Sequence, residues 1–146
     1  MSVYITDTHP LIWFTLNKHS SLSKKALTVF ESAVHGESFI YIPAIVFWEV
    51  AILEQKQRIK LHNGFSHWSD ELLKTKAFGI APLEPEIIAL GTGFNFNNDP
   101  FDEMIAAFAS HLELPLITKD NAITILNQNW FAKTGGNATV RKRVAS

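Results

Sequence analysis

The sequence predicts an α/β fold with a parallel sheet covered by helices on both faces. Two observations carry this: short runs rich in β-branched and aromatic residues alternate with amphipathic helical runs, and the connections between them are short. A third supports it, because 47% hydrophobic residues and 11 Phe in 146 residues supply a continuous core. One domain over residues 1–146 is expected.

The elements follow in order. "SVYITD", residues 2–7, reads as a strand ending on an acid, and "THPLIWFTL" turns and opens a helix. "SSLSKKALTVFESAVHG" is a second helix, with Ser21 or Ser23 as cap, Leu27, Phe30 and Val34 as its apolar series and Gly36 as its stop. "SFIYI" is a strand bounded by Pro43. "PAIVFWEVAILEQKQRI" is a long helix with Phe47 or Trp48, Ala51 and Leu53 buried, and it carries Glu49 well inside it. "FSHWSDELLKTK" is an amphipathic helix, "FGIAPL" a strand, and "EPEIIALGTG" a brief helix ending in glycines. "NNDPFDEMIAAFASH", residues 97–111, has Asp99 suited to an N-cap, Pro100 in the first helical position and Asp102 in the first turn. Its apolar face is Phe101, Ile105, Phe108 and Leu112, beside a small-residue strip of Asp102, Ala106 and Ala109. "LPLIT", residues 114–118, is a strand leading to Lys119 and Asp120. Residues 131–146 carry no clear element; "TGGNATVRKR" fits a loop with a last strand or a frayed end.

Composition excludes several classes. The absence of Cys removes disulfides, thiolate zinc sites, iron–sulfur ligation and cysteine nucleophiles together. "MSVYITDTHPLIWF" has no basic leader, and no run approaches the roughly 18 to 20 apolar residues of a transmembrane helix, so a cytoplasmic protein without a membrane partner is expected. A net charge of -1 gives no global basicity for nucleic acid, although "EQKQRIK" and "VRKRVAS" concentrate positive charge locally. Solvated surface is the plainer reading of each.

Four acids share one reading. Open parallel sheets bind ligands beyond the carboxyl ends of their strands, where Asp7 and Asp120 fall. Each is also a good turn or cap residue. Glu49 is harder to place, because "IVFW" and "VAIL" flank it and an unpaired carboxylate in an apolar helix is costly. With Asp102 these acids form a candidate cation site. Hard oxygen donors, without Cys and without a multi-histidine spacing, favour Mg²⁺ or Mn²⁺ over zinc.

The same residues resemble the PIN-domain ribonucleases, in particular the VapC-like toxins of bacterial toxin–antitoxin pairs. "YITDTHPLIWFTLNKHSSLS" looks like that subgroup's opening strand and helix, "FWEVAI" like its second acidic motif, "DPFDEMIAAFA" like its third and "LPLITKD" like its last, in order over residues 3–120. The resemblance implies a three-layer α/β/α domain with a mostly parallel central sheet. It also implies that Asp7, Glu49, Asp102 and Asp120 are the catalytic acids and hold one or two Mg²⁺ or Mn²⁺ per subunit. The activity implied is hydrolysis of RNA phosphodiesters, leaving 5′-phosphate and 3′-hydroxyl ends. The implied partners are a cognate antitoxin and a second copy in a homodimer. On that resemblance Asp99 supports Asp102 as the cap of its helix, and Thr118 either orients Asp120 or makes a plain strand-end hydrogen bond. Glu103 and Leu53 stand where relatives often carry Arg and Lys, and Gln57 and Arg58 stand around a common glycine. Two positive charges are thereby lost from the path of substrate phosphate.

Other residues read structurally. His9 suits a hydrogen-bonded turn residue, and Trp13, Phe14, Phe47 and Trp48 suit core or subunit contacts better than base-stacking platforms. Two rivals remain. A phosphatase with an aspartyl nucleophile lacks the second Asp, since residues 7–9 are Asp-Thr-His. A catalytically weakened binding protein acting through a partner is kept alive by Leu53 and Glu103.

Overall fold

The computed structural model describes residues 1–94 and 99–119, together with the backbone of two short strands at 123–125 and 143–144. The chain opens with β1 (Ser2–Thr6) and α1 (Thr8–Thr15), passes a 3₁₀ turn (His19–Ser21), and continues through α2 (Lys24–Val34), β2 (Ser38–Pro43) and α3 (Ala44–Gln55). Then come α4 (Gly64–Lys74), β3 (Phe78–Ala81), α5 (Pro85–Thr92), α6 (Pro100–Leu112), β4 (Pro115–Ile117), β5 (Ile123–Ile125) and β6 (Arg143–Val144).

The strands lie in the order β3-β2-β1-β4-β5-β6. β1 runs parallel to β2 and β4, and β2 runs parallel to β3, while β5 and β6 extend the β4 edge antiparallel. The expected three-layer α/β/α architecture with a mostly parallel sheet is therefore present. Because the chain steps outward from β1 to β2 and β3 and then returns to the other side of β1, the direction reverses between β1 and β4. Ligand sites of open parallel sheets lie at such a reversal, beyond the carboxyl ends of the strands. Asp7 follows β1 and Thr118 follows β4, and the Asp7 amide donates to the Ile117 carbonyl at 2.9 Å, locking the two ends together.

Local chemistry sets the helix limits. Ser23 is the cap of α2, its hydroxyl accepting from the Ala26 amide at 3.0 Å, and Gly36 follows the helix at φ +81°, a conformation that side chains with a Cβ resist. The buried face of α2 is Ala26, Val29, Phe30 and Ala33, so the expected series holds only at Phe30. Val34 is exposed because the small Ala26 and Ala33 let the helix lie close to β2, turning its larger neighbours outward. In α3, Phe47 is buried against Phe65 and Trp68, while Trp48 points outward. Ala51 and Leu53 are half-buried. α6 buries Ile105 to Ser110 without a break, and Leu112, expected on its apolar face, is exposed in the last turn. Ile5, Leu11, Phe30, Ile40, Ile42, Val46, Val50, Phe108 and Ile117 form the sealed centre of the core.

Asp120 lies outside the described residues. So does the segment 131–146, apart from β6.

Candidate active site

Two helix starts, those of α1 and α6, and the interior of α3 meet at the reversal. Asp7 is buried and is the N-cap of α1, its Oδ1 accepting from the Thr8 amide at 2.7 Å. This places a carboxylate against the positive end of a helix dipole, which favours its charge. Asp99 is the N-cap of α6, with Oδ1 accepting from the Phe101 amide at 3.0 Å and the Asp102 amide at 3.4 Å. Pro100 fills the first helical position, where its missing N–H costs nothing. Asp102 then stands exposed in the first turn, in the position expected of it. Asp99 is thus a cap in fact, as its place in the sequence suggested.

Glu49 lies in the second turn of α3, half-buried, where no helix end offsets its charge. The hydroxyl of Thr8, itself fully buried, donates to Glu49 Oε1 and so ties α1 to α3 across 41 residues of sequence. Burial pushes the Glu49 carboxyl above its ordinary value, and the negative charges of Asp99 and Asp102 push it the same way. The Thr8 hydrogen bond and the nearby His9 act in the opposite direction. Glu49 therefore feels Asp99 and Asp102 from α6, and residues 8 and 9 from α1. The four-acid reading had not singled out Thr8. Its only sequence signal was that it directly follows Asp7.

His9 departs from the reading of a hydrogen-bonded turn residue. Among the described residues its side chain makes no hydrogen bond; its ring leans on Trp13, with centroids 5.9 Å apart, and it lies near enough to Glu49 to act against the upward shift of that carboxyl. Thr118 is buried at the end of β4, beside Asp7, but its relation to Asp120 falls outside the described residues. Among the described residues no three acids or histidines form a closed metal-ligand set. The donor chemistry nonetheless fits a hard divalent cation, because Glu49 is a half-buried carboxylate pressed by two further acids, with no cysteine in the chain.

The basic stretch 54–60 lies elsewhere. Lys18, Arg58 and Lys60 line a cleft of about 510 Å³ beyond the C-terminal ends of α1 and α3, away from the helix starts that carry Asp7 and Asp99. Among the described residues no helix is long and apolar enough to cross a membrane.

Residues 4–127 match the family model described as the PIN domain. The chain belongs to the PIN domain family. No curated protein sequence matches it. Among solved structures, this PIN domain is similar to a chain in the crystal structure of VapBC2 from Rickettsia felis bound to a DNA fragment from their promoter. The identity is 16% and the TM-score 0.56, over 93% of this chain and 96% of that one. At that identity the likeness is one of fold.

Proposed function

We propose that this PIN domain is a metal-dependent endoribonuclease and the toxin of a toxin–antitoxin pair, with Asp7, Glu49, Asp102 and Asp120 as the catalytic acids. The observation that carries the reading is Glu49: a half-buried carboxylate in an apolar helix, held by Thr8 and faced by Asp99 and Asp102 at the sheet's point of reversal. Such a charge is costly unless the site is meant for a cation. The acids would hold one or two Mg²⁺ or Mn²⁺. When bound, such an ion supplies positive charge to a scissile phosphate and acidifies water for in-line attack.

The chain's own residues have separable tasks. Thr8 fixes the orientation of Glu49, and Asp7 caps the start of α1. Asp99 holds the first turn of α6 so that Asp102 faces solvent and substrate. His9 lies near Glu49 and works against the upward shift of its carboxyl. Glu103, where relatives resembling this chain often carry Arg, adds no positive charge for phosphate, so substrate binding leans on the cation.

Partners follow from the same reading. The likeness in fold to VapBC2 supports a cognate antitoxin. A groove of about 460 Å³ between α1 and α4, with Phe14, Leu16, Trp68 and Leu72 in its wall, suits an apolar antitoxin segment. Ile80, Leu83 and Ile88, exposed around β3 and α5, suit a homodimer contact. The deciding experiment is cleavage of a mixed cellular RNA pool by the purified chain with Mg²⁺ or Mn²⁺. Cleavage that needs metal and disappears in a folded Asp7→Asn variant is expected; metal-independent cleavage, or full activity of Asp7→Asn, overturns the assignment.

A further inference from the structure

Trp48 is 61% exposed, although it lies in a helix that is apolar at nearly every position and whose neighbouring Phe47 is buried. A large apolar ring left in water needs a reason. Its surroundings supply one. Trp48 immediately precedes Glu49, and the ring it leans on, Phe101, immediately precedes Asp102. The two centroids are 5.4 Å apart with the planes inclined at 53°. The contact is tilted rather than parallel, and most of the indole stays in water. Two aromatic rings in mutual contact are therefore carried by the residues that directly precede two of the acids assigned to phosphodiester hydrolysis, one on α3 and one on α6, and Glu49 and Asp102 are themselves close enough to interact electrostatically.

We propose that Trp48, supported by Phe101, is the stacking platform for a nucleobase next to the scissile phosphate, and so a residue that positions single-stranded RNA. The inference rests on the ribonuclease reading and deepens it. Aromatic side chains bind single strands this way because every base offers a π-face, and the contact tolerates many sequences. It would also supply binding that Glu103 and Leu53, being acidic and apolar, do not supply through phosphate. A second copy is the competing occupant. In a two-fold contact the same patch meets itself, and a patch centred on Trp48 would bring Glu49, Asp99 and Asp102 of both copies together, like charge against like. A base carries no charge and arrives with the phosphate that the cation is there to neutralise. The base is the better occupant.

The test compares the wild-type chain with Trp48→Ala and Trp48→Phe on single-stranded RNA of mixed sequence in the presence of Mn²⁺. Trp48→Ala is expected to raise KM about five- to 150-fold, the binding contribution of one stacked base, with little change in kcat, and Trp48→Phe to restore most of the loss. That split identifies lost binding rather than a damaged acid site. RNA should also quench tryptophan emission more in the wild type than in Trp48→Phe, which reads the contact without turnover and needs no alanine variant to fold. Unchanged KM together with equal quenching overturns the platform while leaving the ribonuclease reading intact. A Trp48→Ala protein that changes from dimer to monomer in sedimentation with KM unchanged assigns the ring to a subunit contact and overturns it too. A folded wild-type chain that neither binds nor cleaves RNA overturns both.

Discussion

Replacing Thr8 with Val tests the link between the two halves of the site, because the change keeps the branched shape and removes only the hydroxyl that donates to Glu49. The Thr8 amide continues to serve Asp7, so the start of α1 is preserved. A hydrogen bond to a charged group is worth about 1.5–3 kcal/mol. Glu49 is half-buried, so water recovers part of that and the loss falls to about 1–2 kcal/mol. For a domain of this size the loss corresponds to a fall in Tm of roughly 2–8 °C. Differential scanning calorimetry near pH 7 without metal should show it, and the rise in Tm on adding Mg²⁺ or Mn²⁺ should shrink, because a wandering Glu49 carboxylate is a poorer donor. Cleavage should fall through weaker metal dependence, with higher Mn²⁺ restoring part of it. A Thr8→Val protein with the wild-type melting temperature and the wild-type metal response would show that Thr8 does not hold Glu49 in solution.

Three further outcomes separate the acids. Asp102→Asn should abolish cleavage with little effect on folding, whereas Asp99→Ala should lower stability by about 0.5–2 kcal/mol through loss of the α6 cap and Asp99→Asn, which can still cap, should stay near wild type; thermal melts and RNA cleavage on the three variants check this, and loss of cleavage in a folded Asp99→Asn with Asp102→Asn active would reverse the roles. The folded chain keeps a proton on Glu49 at pH values where the unfolded chain has released it, so its contribution to metal-free stability is full below the ordinary carboxylate pKa and is lost as pH rises through the raised value. Denaturant titrations across that window should show a slope that Glu49→Gln flattens, and an identical slope in the variant would exclude Glu49 as its source. The purified chain should sediment as a dimer at micromolar concentration, and an antitoxin should suppress its cleavage; a monomer at every concentration defeats the homodimer.

Much of the fold was legible because it is written in local chemistry. Ser23, Gly36 and the Asp99–Pro100 pair each fix a helix end through hydrogen bonds or backbone geometry within a few residues, and all three act as expected. Strand ends were legible for a similar reason, since Asp7 closes an apolar run. What failed was the choice of face. Along α3 nearly every position is apolar, so no periodicity separates Phe47 from Trp48, and only the packing of Phe65 and Trp68 makes the choice. Along α2 the small alanines, which carry little hydropathic signal, took the buried positions from Leu27 and Val34. The partnership of Thr8 with Glu49 was not legible at all, because it joins residues 41 apart through a side-chain bond that no local pattern encodes.

Among the described acids, the way each is compensated explains why Glu49 should govern metal uptake. Asp7 and Asp99 each accept amide hydrogen bonds at the start of a helix, and Asp102 lies in a first turn, so backbone dipoles already favour their charges. Glu49 lies beyond the first turn of α3, where the dipole no longer helps, and depends on the Thr8 hydroxyl and on His9 against its own burial and two neighbouring acids. Its carboxyl holds its proton above the ordinary carboxylate range. A cation that needs Glu49 ionised must displace that proton, so on the proposed reading metal affinity rises with pH until Glu49 is fully ionised and then levels off. The same rise should vanish in Glu49→Gln, while Asp99→Asn, by removing one of the charges that press on Glu49, should move it to lower pH. Isothermal titration with Mn²⁺ at a series of pH values checks this. A pH midpoint that Asp99→Asn leaves in place would mean that the coupling between α6 and α3 does not control the cation.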